Sequence, residues 1–356
     1  MVSKKREEGL RNFGAILYLL CASVLSLWCV AKFIVPKPPQ FSTAEPPKRV
    51  ELLFVGDVMA HSPQLTVAKR GNDYNFKSCF KYVKPIFEGA DCVIANLETT
   101  LTTTPPYTGY PCFKAPASLA GALADAGVDI AVTANNHSLD GGKIGVESTL
   151  EILRQNGIAA VGTTENNVLR FSAKGINFAL MAYTYSTNGI PTPEGVSVHK
   201  IDTLQMQKDL ASCADVDCRI AFLHWGAEYT RRPNRQQREL ADFLHRAGCQ
   251  LVIGSHPHTV QRAECSQREV TVYSLGNFIS NQRMRYSDGG VMAKVVVEKD
   301  SDGCQFWLDI LPVWVRKSGY VVIPQSVVNS VNLAEDEREA CNLFFEDTRK
   351  IFTSKF

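Results

Sequence analysis

Short apolar runs recur along the chain, each closed by a polar cluster, and longer amphipathic stretches separate them. "RVELLFVGDVM" reads as a strand that reaches Gly56 and Asp57. "FKYVKPIFEGA" predicts a helix and "DCVIANLE" a strand. "SLAGALADAG" predicts a helix with a glycine stop at Gly127, and "VDIAVTANNHSLD" a strand running into a polar turn. "GVESTLEILRQNG" has helical spacing and stops at Gly157, before the short strand "IAAVGT". "INFALMAYTYS" and "CRIAFLHWG" predict strands, with a helix near "DTLQMQKDLASC" between them. "PNRQQRELADFLHRAG" predicts a helix with proline in its first turn and an apolar face of Leu240, Phe243, Leu244 and Ala247. Strands "CQLVIGSHPH" and "EVTVYSLGNF" follow. The end of the chain is strand-rich: "GGVMAKVVVEKD" and "CQFWLDILPVWVRK" read as antiparallel partners, before a closing helix at "DEREACNLFFEDTRKIF". The alternation predicts an α/β fold with largely parallel strands. In such sheets ligands gather at the carboxyl ends of the strands.

The first fifty residues follow a different pattern. Lys4, Lys5, Arg6 and Arg11 precede an apolar run from Phe13 to Val35, interrupted by Lys32. At about 1.5 Å per residue this run crosses a bilayer core of about 30 Å. The basic flank keeps the amino end in the cytoplasm. A cleaved signal peptide is the rival, but the run is long and no small-x-small site precedes Pro36. The expected organisation is a basic cytoplasmic segment at 1–12, a single-pass membrane anchor at 13–35 and a proline-rich tether at 36–49. A catalytic-type domain at 50–325 and a C-terminal helical segment at 326–356 then lie outside the cytoplasm.

A net charge of +2 and the lack of a basic block in the body exclude a nucleic-acid partner. Eleven cysteines are scattered without zinc-finger spacing, and Cys213 with Cys218 is the one locally suggestive disulfide pair.

The polar clusters stand where that strand-end rule puts a site. Asp57 ends the first strand, and Asn96 and Glu98 the second. Asn135, Asn136 and His137 end the third; His224, then His256 and His258, end later ones. Carboxylates, amides and imidazoles together suit one or two transition-metal ions. Each signal alone is weak, since a lone histidine after a strand is usually a hydrogen-bonded structural residue. Their joint occurrence at successive strand ends is what points to metal. His61, His199 and His245 lack this placement, and His245 falls on the polar, solvated side of a predicted helix. Arg231, Arg232 and Arg235 follow "HWGAEYT" and could meet an anionic polymer or phosphate, or simply form a solvated loop.

The stretches "FVGDVM", "VIANLETTL", "DIAVTANNHSLDGG", "FLHWGAEY", "VIGSHPHTVQ" and "VYSLGNF", in this order, resemble the poly-γ-glutamate capsule synthesis protein CapA family, a branch of the calcineurin-like metallophosphatase superfamily. The resemblance runs from about residue 51 to 281. It implies a sandwich of two mixed β-sheets flanked by helices, with a dinuclear site between the sheet ends. It implies Asp57, Glu98, Asn136, His224, His256 and His258 as metal ligands, with Glu98 where the wider superfamily uses a bridging aspartate. His137 then resembles the residue that protonates the leaving group. Asn96, Asn135, Arg231 and Asn277, in or beside these stretches, are candidate substrate-binding residues. The wider superfamily has Asp-x-His in its first block; here Met59 stands in the histidine position, which puts phosphoesterase activity in doubt.

The implied cofactor is one or two divalent ions, manganese, zinc or iron. Such ions make water acidic enough to attack phosphorus or a carbonyl near neutral pH, and His137 could supply a proton. The expected function is a membrane-anchored metallohydrolase acting on an anionic cell-envelope polymer or phosphoester, alongside membrane subunits of a capsule-synthesis complex. The alternative is a non-catalytic accessory subunit that binds or exports such a polymer. An adhesion scaffold would leave the strand-end groups unexplained.

Overall fold

The computed structural model describes Gly9, residues 12–23 and residues 48–353. Residues 12–23 are helical. The rest of the expected anchor, 24–35, and nearly all of the tether lie outside the described residues. Among the described residues no helix is long and apolar enough to cross a membrane.

Two large mixed sheets build the body. At the centre of the first is Lys48–Val58, which pairs in parallel with Cys92–Leu97. Ile130–Val132 and Ala159–Val161 extend that side, also in parallel. On its other side run Gly289–Asp300, Gly303–Arg316 and Val321–Pro324, all antiparallel. In the second sheet Ile176–Thr184, Cys218–His224, Leu251–Ser255 and Val270–Val272 are parallel. Antiparallel strands Leu169–Ala173 and Ala263–Cys265 close its edges.

Successive side chains of a strand point to opposite faces. Val50, Leu52 and Phe54 therefore join Phe178, Leu180, Phe222 and Ile253 of the other sheet in one shared apolar layer. Leu53 and Val55 face the opposite way, onto Leu119, Leu123 and Leu153 of the helices Ser118–Ala126 and Gly142–Gln155. Ala179 and Met181 likewise face Met206, Leu210 and Leu244 of helices Thr203–Ser212 and Arg235–Arg246. Both faces of both sheets are covered, which is why the strands read as continuous apolar runs. The C-terminal helix Glu335–Thr353 buries Cys341, Phe344 and Phe345 in the inter-sheet layer.

Several expectations change. "EVTVYSLGNF" is two strands, not one: Val270–Val272 lies in the second sheet and Asn277–Ile279 pairs with Asp57 and Val58 in the first. The chain crosses between sheets at Leu275 and Gly276, where Gly276 takes φ 70°, a left-handed conformation suited to glycine. In "FKYVKPIFEGA" only Lys84–Phe87 is α-helical. Pro233 precedes the N-cap Asn234 rather than sitting in the first turn. Cys213 and Cys218 are both buried free thiols. His245 is not solvated, because its ring bridges the Cys249 carbonyl and the Thr271 hydroxyl at 2.8 and 2.7 Å.

Gly56 sets the approach of the crossing to the first strand. A Cβ there would lie 1.9 Å from the Gly276 carbonyl oxygen, and that carbonyl accepts the Asp57 N–H at 3.1 Å. Gly56→Ala must push the two segments apart. It should cost about 1–3 kcal/mol of stability, read from urea unfolding; an unchanged midpoint would refute this account of the crossing.

Candidate metal centre

The strand ends of both sheets meet at one seam. Asp57, Asn96, Glu98, Asn135 and His224 are fully buried there, and Asn136, His137, His256 and His258 are nearly so. Ligand atoms of Asp57, Glu98 and His258 lie within 4.8 Å of one another. His258 Nδ1 is 2.9 Å from Asp57 Oδ2. His224 Nε2 is 2.9 Å from Asn136 Oδ1. Glu98 Oε1 lies 3.8 Å from His258 Nε2 and 3.8 Å from His224 Nε2. It is a buried carboxylate oxygen with no hydrogen-bond partner. Separations of 3.8 Å are too long for hydrogen bonds but normal for two ligands of one cation at about 2.0–2.2 Å each. His256 completes the set. Its ring centroid is 4.7 Å from that of His224, and its buried Nδ1 also lacks a partner. A buried carboxylate oxygen and a buried ring nitrogen, both unsatisfied among nitrogen and oxygen donors, fit a divalent metal ion.

Backbone conformation at the site is unusual for non-glycine residues. His256 has φ 99° and His258 φ 55°. Such conformations cost free energy and persist only where surrounding structure imposes them. Here the Trp225 N–H bonds the Ser255 carbonyl at 3.1 Å and the Tyr229 N–H bonds the Pro257 carbonyl at 2.8 Å, clamping the histidine loop.

A second set of groups orients the first. The Asn96 amide donates to Asp57 Oδ1 at 2.8 Å and to Glu98 Oε2 at 3.2 Å. Asn135 donates to the Leu97 carbonyl at 2.8 Å and accepts the His137 N–H at 3.1 Å. Ser255 Oγ is 2.9 Å from His224 Nδ1. Asn277 donates to the Ser287 carbonyl at 2.7 Å and to Gln282 at 2.9 Å. Asn96, Asn135 and Asn277, expected to bind substrate, are all fully buried, and the bonds of Asn96 and Asn135 are made to residues of the centre. Arg231 lies against the last helix. It bonds the Asp347 carbonyl at 2.5 Å and covers the Tyr286 ring at 4.0 Å.

His137 is held by Asp140, whose Oδ2 is 2.7 Å from its Nδ1 and also accepts the Phe113 N–H at 2.6 Å. Phe113 meets the His137 ring edge-on at 4.7 Å and the His61 ring at 4.9 Å. Sequence reasoning missed Asp140, although its i+3 spacing in "HSLD" was a usable signal. It also set His61 aside. His61 follows the end of the first strand at Val58 by three residues, and the fold brings it to Phe113. Tyr185, against His256 at 4.5 Å, was not singled out either.

Burial dominates the electrostatics. It holds the Glu98 carboxyl well above its ordinary value of 4.5, with the neighbouring Asp57 charge adding to the effect. It lowers His224 well below 6.5 and His256 to about 3. The two imidazoles are thus neutral and able to ligate, while Glu98 must lose a proton to do so. The signs give a test on metal-free protein. Folded Glu98 keeps a proton that the unfolded chain releases above 4.5, so stability falls as pH rises beyond that value. The folded histidines refuse a proton that the unfolded chain takes up below 6.5, so stability falls as pH drops below that value. Thermal melts should therefore show greatest stability at mildly acidic pH, and added divalent metal should abolish the alkaline decline. An alkaline decline that persists with metal would contradict the assignment of Glu98.

The family described as "Bacterial capsule synthesis protein PGA_cap" matches residues 51–282. The capsule biosynthesis protein CapA of Bacillus anthracis is 22% identical over 367 residues, covering 98% of this chain and 85% of that protein. The PGA biosynthesis protein CapA of Bacillus subtilis (strain 168) is 27% identical over 265 residues, covering 70% of this chain and 68% of that protein. Among solved structures, the sulfate thiohydrolase SoxB of Thermus thermophilus aligns with a TM-score of 0.44 at 12% identity, covering 88% of this chain and 62% of that one, less than two thirds of its length. With the family match spanning more than half of its length, the chain belongs to the bacterial capsule synthesis (CapA) family.

Proposed function

We propose that this protein is a metal-dependent hydrolase of capsule or cell-envelope polymer biosynthesis, acting on an anionic polymer of the poly-γ-glutamate type or on a phosphoester. The single observation that carries the reading is Glu98 Oε1, buried without a partner and 3.8 Å from two imidazole nitrogens. Asp57, Glu98 and His258 would hold one divalent ion; Glu98, Asn136, His224 and His256 would hold a second, as in metallophosphatases. Manganese, zinc and iron all suit this donor set. When bound, such ions acidify water and draw charge from an attacked phosphoryl or carbonyl oxygen. The chain's own residues do the rest. Asn96 fixes the carboxylates of Asp57 and Glu98. Ser255 fixes the His224 ring. Asp140 engages His137 Nδ1, which leaves Nε2 to pass a proton to the leaving group. Met59, buried in the first block, offers no nitrogen or oxygen side-chain donor, so an ion held at Asp57 would have fewer protein ligands.

The basic amino end and the apolar run support a single-pass anchor at 13–35, with residues 36–356 outside the cytoplasm and membrane subunits of a synthesis complex as partners. The test of the hydrolase reading is elemental analysis of the purified chain, followed by turnover on phosphoester and γ-glutamyl substrates with the bound metal. Bound metal without turnover on either class would sink it and leave the polymer-binding accessory role.

A further inference from the structure

A cavity of about 390 Å³ opens beside the loop that follows His224. Five cationic side chains line it: Arg231, Arg232, Arg238, Arg262 and Lys350. Among the described residues no carboxylate shares that lining. We propose that this cavity docks the chain of repeated carboxylates on which the metal centre acts. The inference rests on the polymer-directed reading above and adds the place where the polymer is held.

The charge of this wall is only partly cancelled. Arg231 and Arg238 bond neutral backbone carbonyls, those of Asp347 at 2.5 Å and Pro233 at 2.6 Å. The Nε–H groups of Arg231 and Arg262 are buried without an acceptor. Carboxylates do pair with Arg262 (Glu264, 2.5 Å) and with Lys350 (Glu346, 2.8 Å). Asp347 is bonded by Arg285 at 3.0 Å, outside the lining, and lies 4.0 Å from the Lys350 ammonium. Cations gathered in one cleft repel one another and focus a positive potential on it. Guanidinium forks match carboxylates in geometry as well as charge.

Position joins the cavity to the metal centre. Arg262 follows His258 by four residues, so their Cα atoms are at most about 14 Å apart. The loop ahead of Arg231 is tied to the histidine loop. The Thr230 carbonyl accepts from Thr259 Oγ1 at 2.9 Å and from Gln261 Nε2 at 2.8 Å. A polymer with one linkage at the metal centre would carry its next carboxylates towards these arginines. The cations are spread around the cavity wall, which suits several anionic groups better than one small anion. A nucleic acid fits less well, because the nearby Tyr286 ring is already covered by Arg231 at 4.0 Å and Arg285 at 4.9 Å and cannot stack a base.

The test is fluorescence anisotropy of a fluorescein-labelled γ-linked glutamate decamer with the full chain in detergent, after removal of metal by chelator. Binding without metal is expected. The exposed pair Arg238→Gln/Lys350→Gln should weaken it about tenfold or more, with the melting temperature unchanged. Single Lys350→Gln, near the end of the last helix, keeps the test open should the double variant fold poorly, and a smaller loss is expected from it. Unchanged affinity in the folded variants would overturn the proposal. So would equal displacement of the decamer by inorganic phosphate or by an oligothymidylate of the same length. Because turnover is never read, an inactive metal centre would not change these outcomes, and failure here would leave the hydrolase reading standing.

Discussion

His256→Ala should lose metal and turnover together. The imidazole it removes is buried, has an Nδ1 with no hydrogen-bond partner, and packs between Tyr185 at 4.5 Å and His224 at 4.7 Å. A structural histidine in such a place would spend its ring nitrogens on the fold, as His245 does with Cys249 and Thr271. Altering even the partners of a metal ligand typically lowers affinity about 10–100-fold, so loss of the ligand should do at least that. Metal content after dialysis against a competing chelator is the direct measure. The backbone supplies a control. At φ 99° alanine is strained and glycine is not, so metal-free His256→Gly should be more stable than His256→Ala by about 1 kcal/mol. Both variants should fail to keep metal. Full metal retention by either variant, with the fold intact, would remove His256 from the ligand set.

The fold was legible where burial and periodicity agree. Continuous apolar strands such as "LVIGS" face cores on both sides, and a run ending in Asp57, Glu98, His224 or His256 marks its own carboxyl end. What could not be read was set by contacts between distant residues. The crossing at Gly276 interrupts "EVTVYSLGNF" because Leu275 and Gly276 pair with Val260 and Gly290 in separate bridges, and no local propensity encodes that. The ligand candidates were visible as types at strand ends, whereas the difference between holding and bracing was not. Asn96 and Asn136 look alike in sequence. The Asn96 amide NH2 lies at two carboxylates, while the Asn136 oxygen lies at His224 Nε2. Arg231 was legible as a cation after "HWGAEYT", but its contacts with Tyr286 and the last helix, far along the chain, were not.

His137→Ala should keep the metal and lose the proton donor. His137 follows Asn136, yet its Nδ1 is occupied by Asp140 at 2.7 Å and its ring is held edge-on by Phe113, a fixed orientation that suits proton transfer. General acid–base catalysis typically contributes about a hundredfold to ten-thousandfold, so turnover on a substrate with a poor leaving group should fall by that factor while metal content stays at the parent level. The loss should shrink on an ester whose leaving group departs without a proton. Asp140→Asn separates a donor from a mere packing group. It keeps the side-chain size but removes the anion that steadies the protonated imidazole, so turnover should fall less than in His137→Ala and show the same dependence on leaving group. Loss of metal from His137→Ala would make the histidine a ligand. Unchanged turnover on the poor leaving group would make the His137–Asp140 pair structural, and the bound metal would then be serving polymer binding rather than hydrolysis.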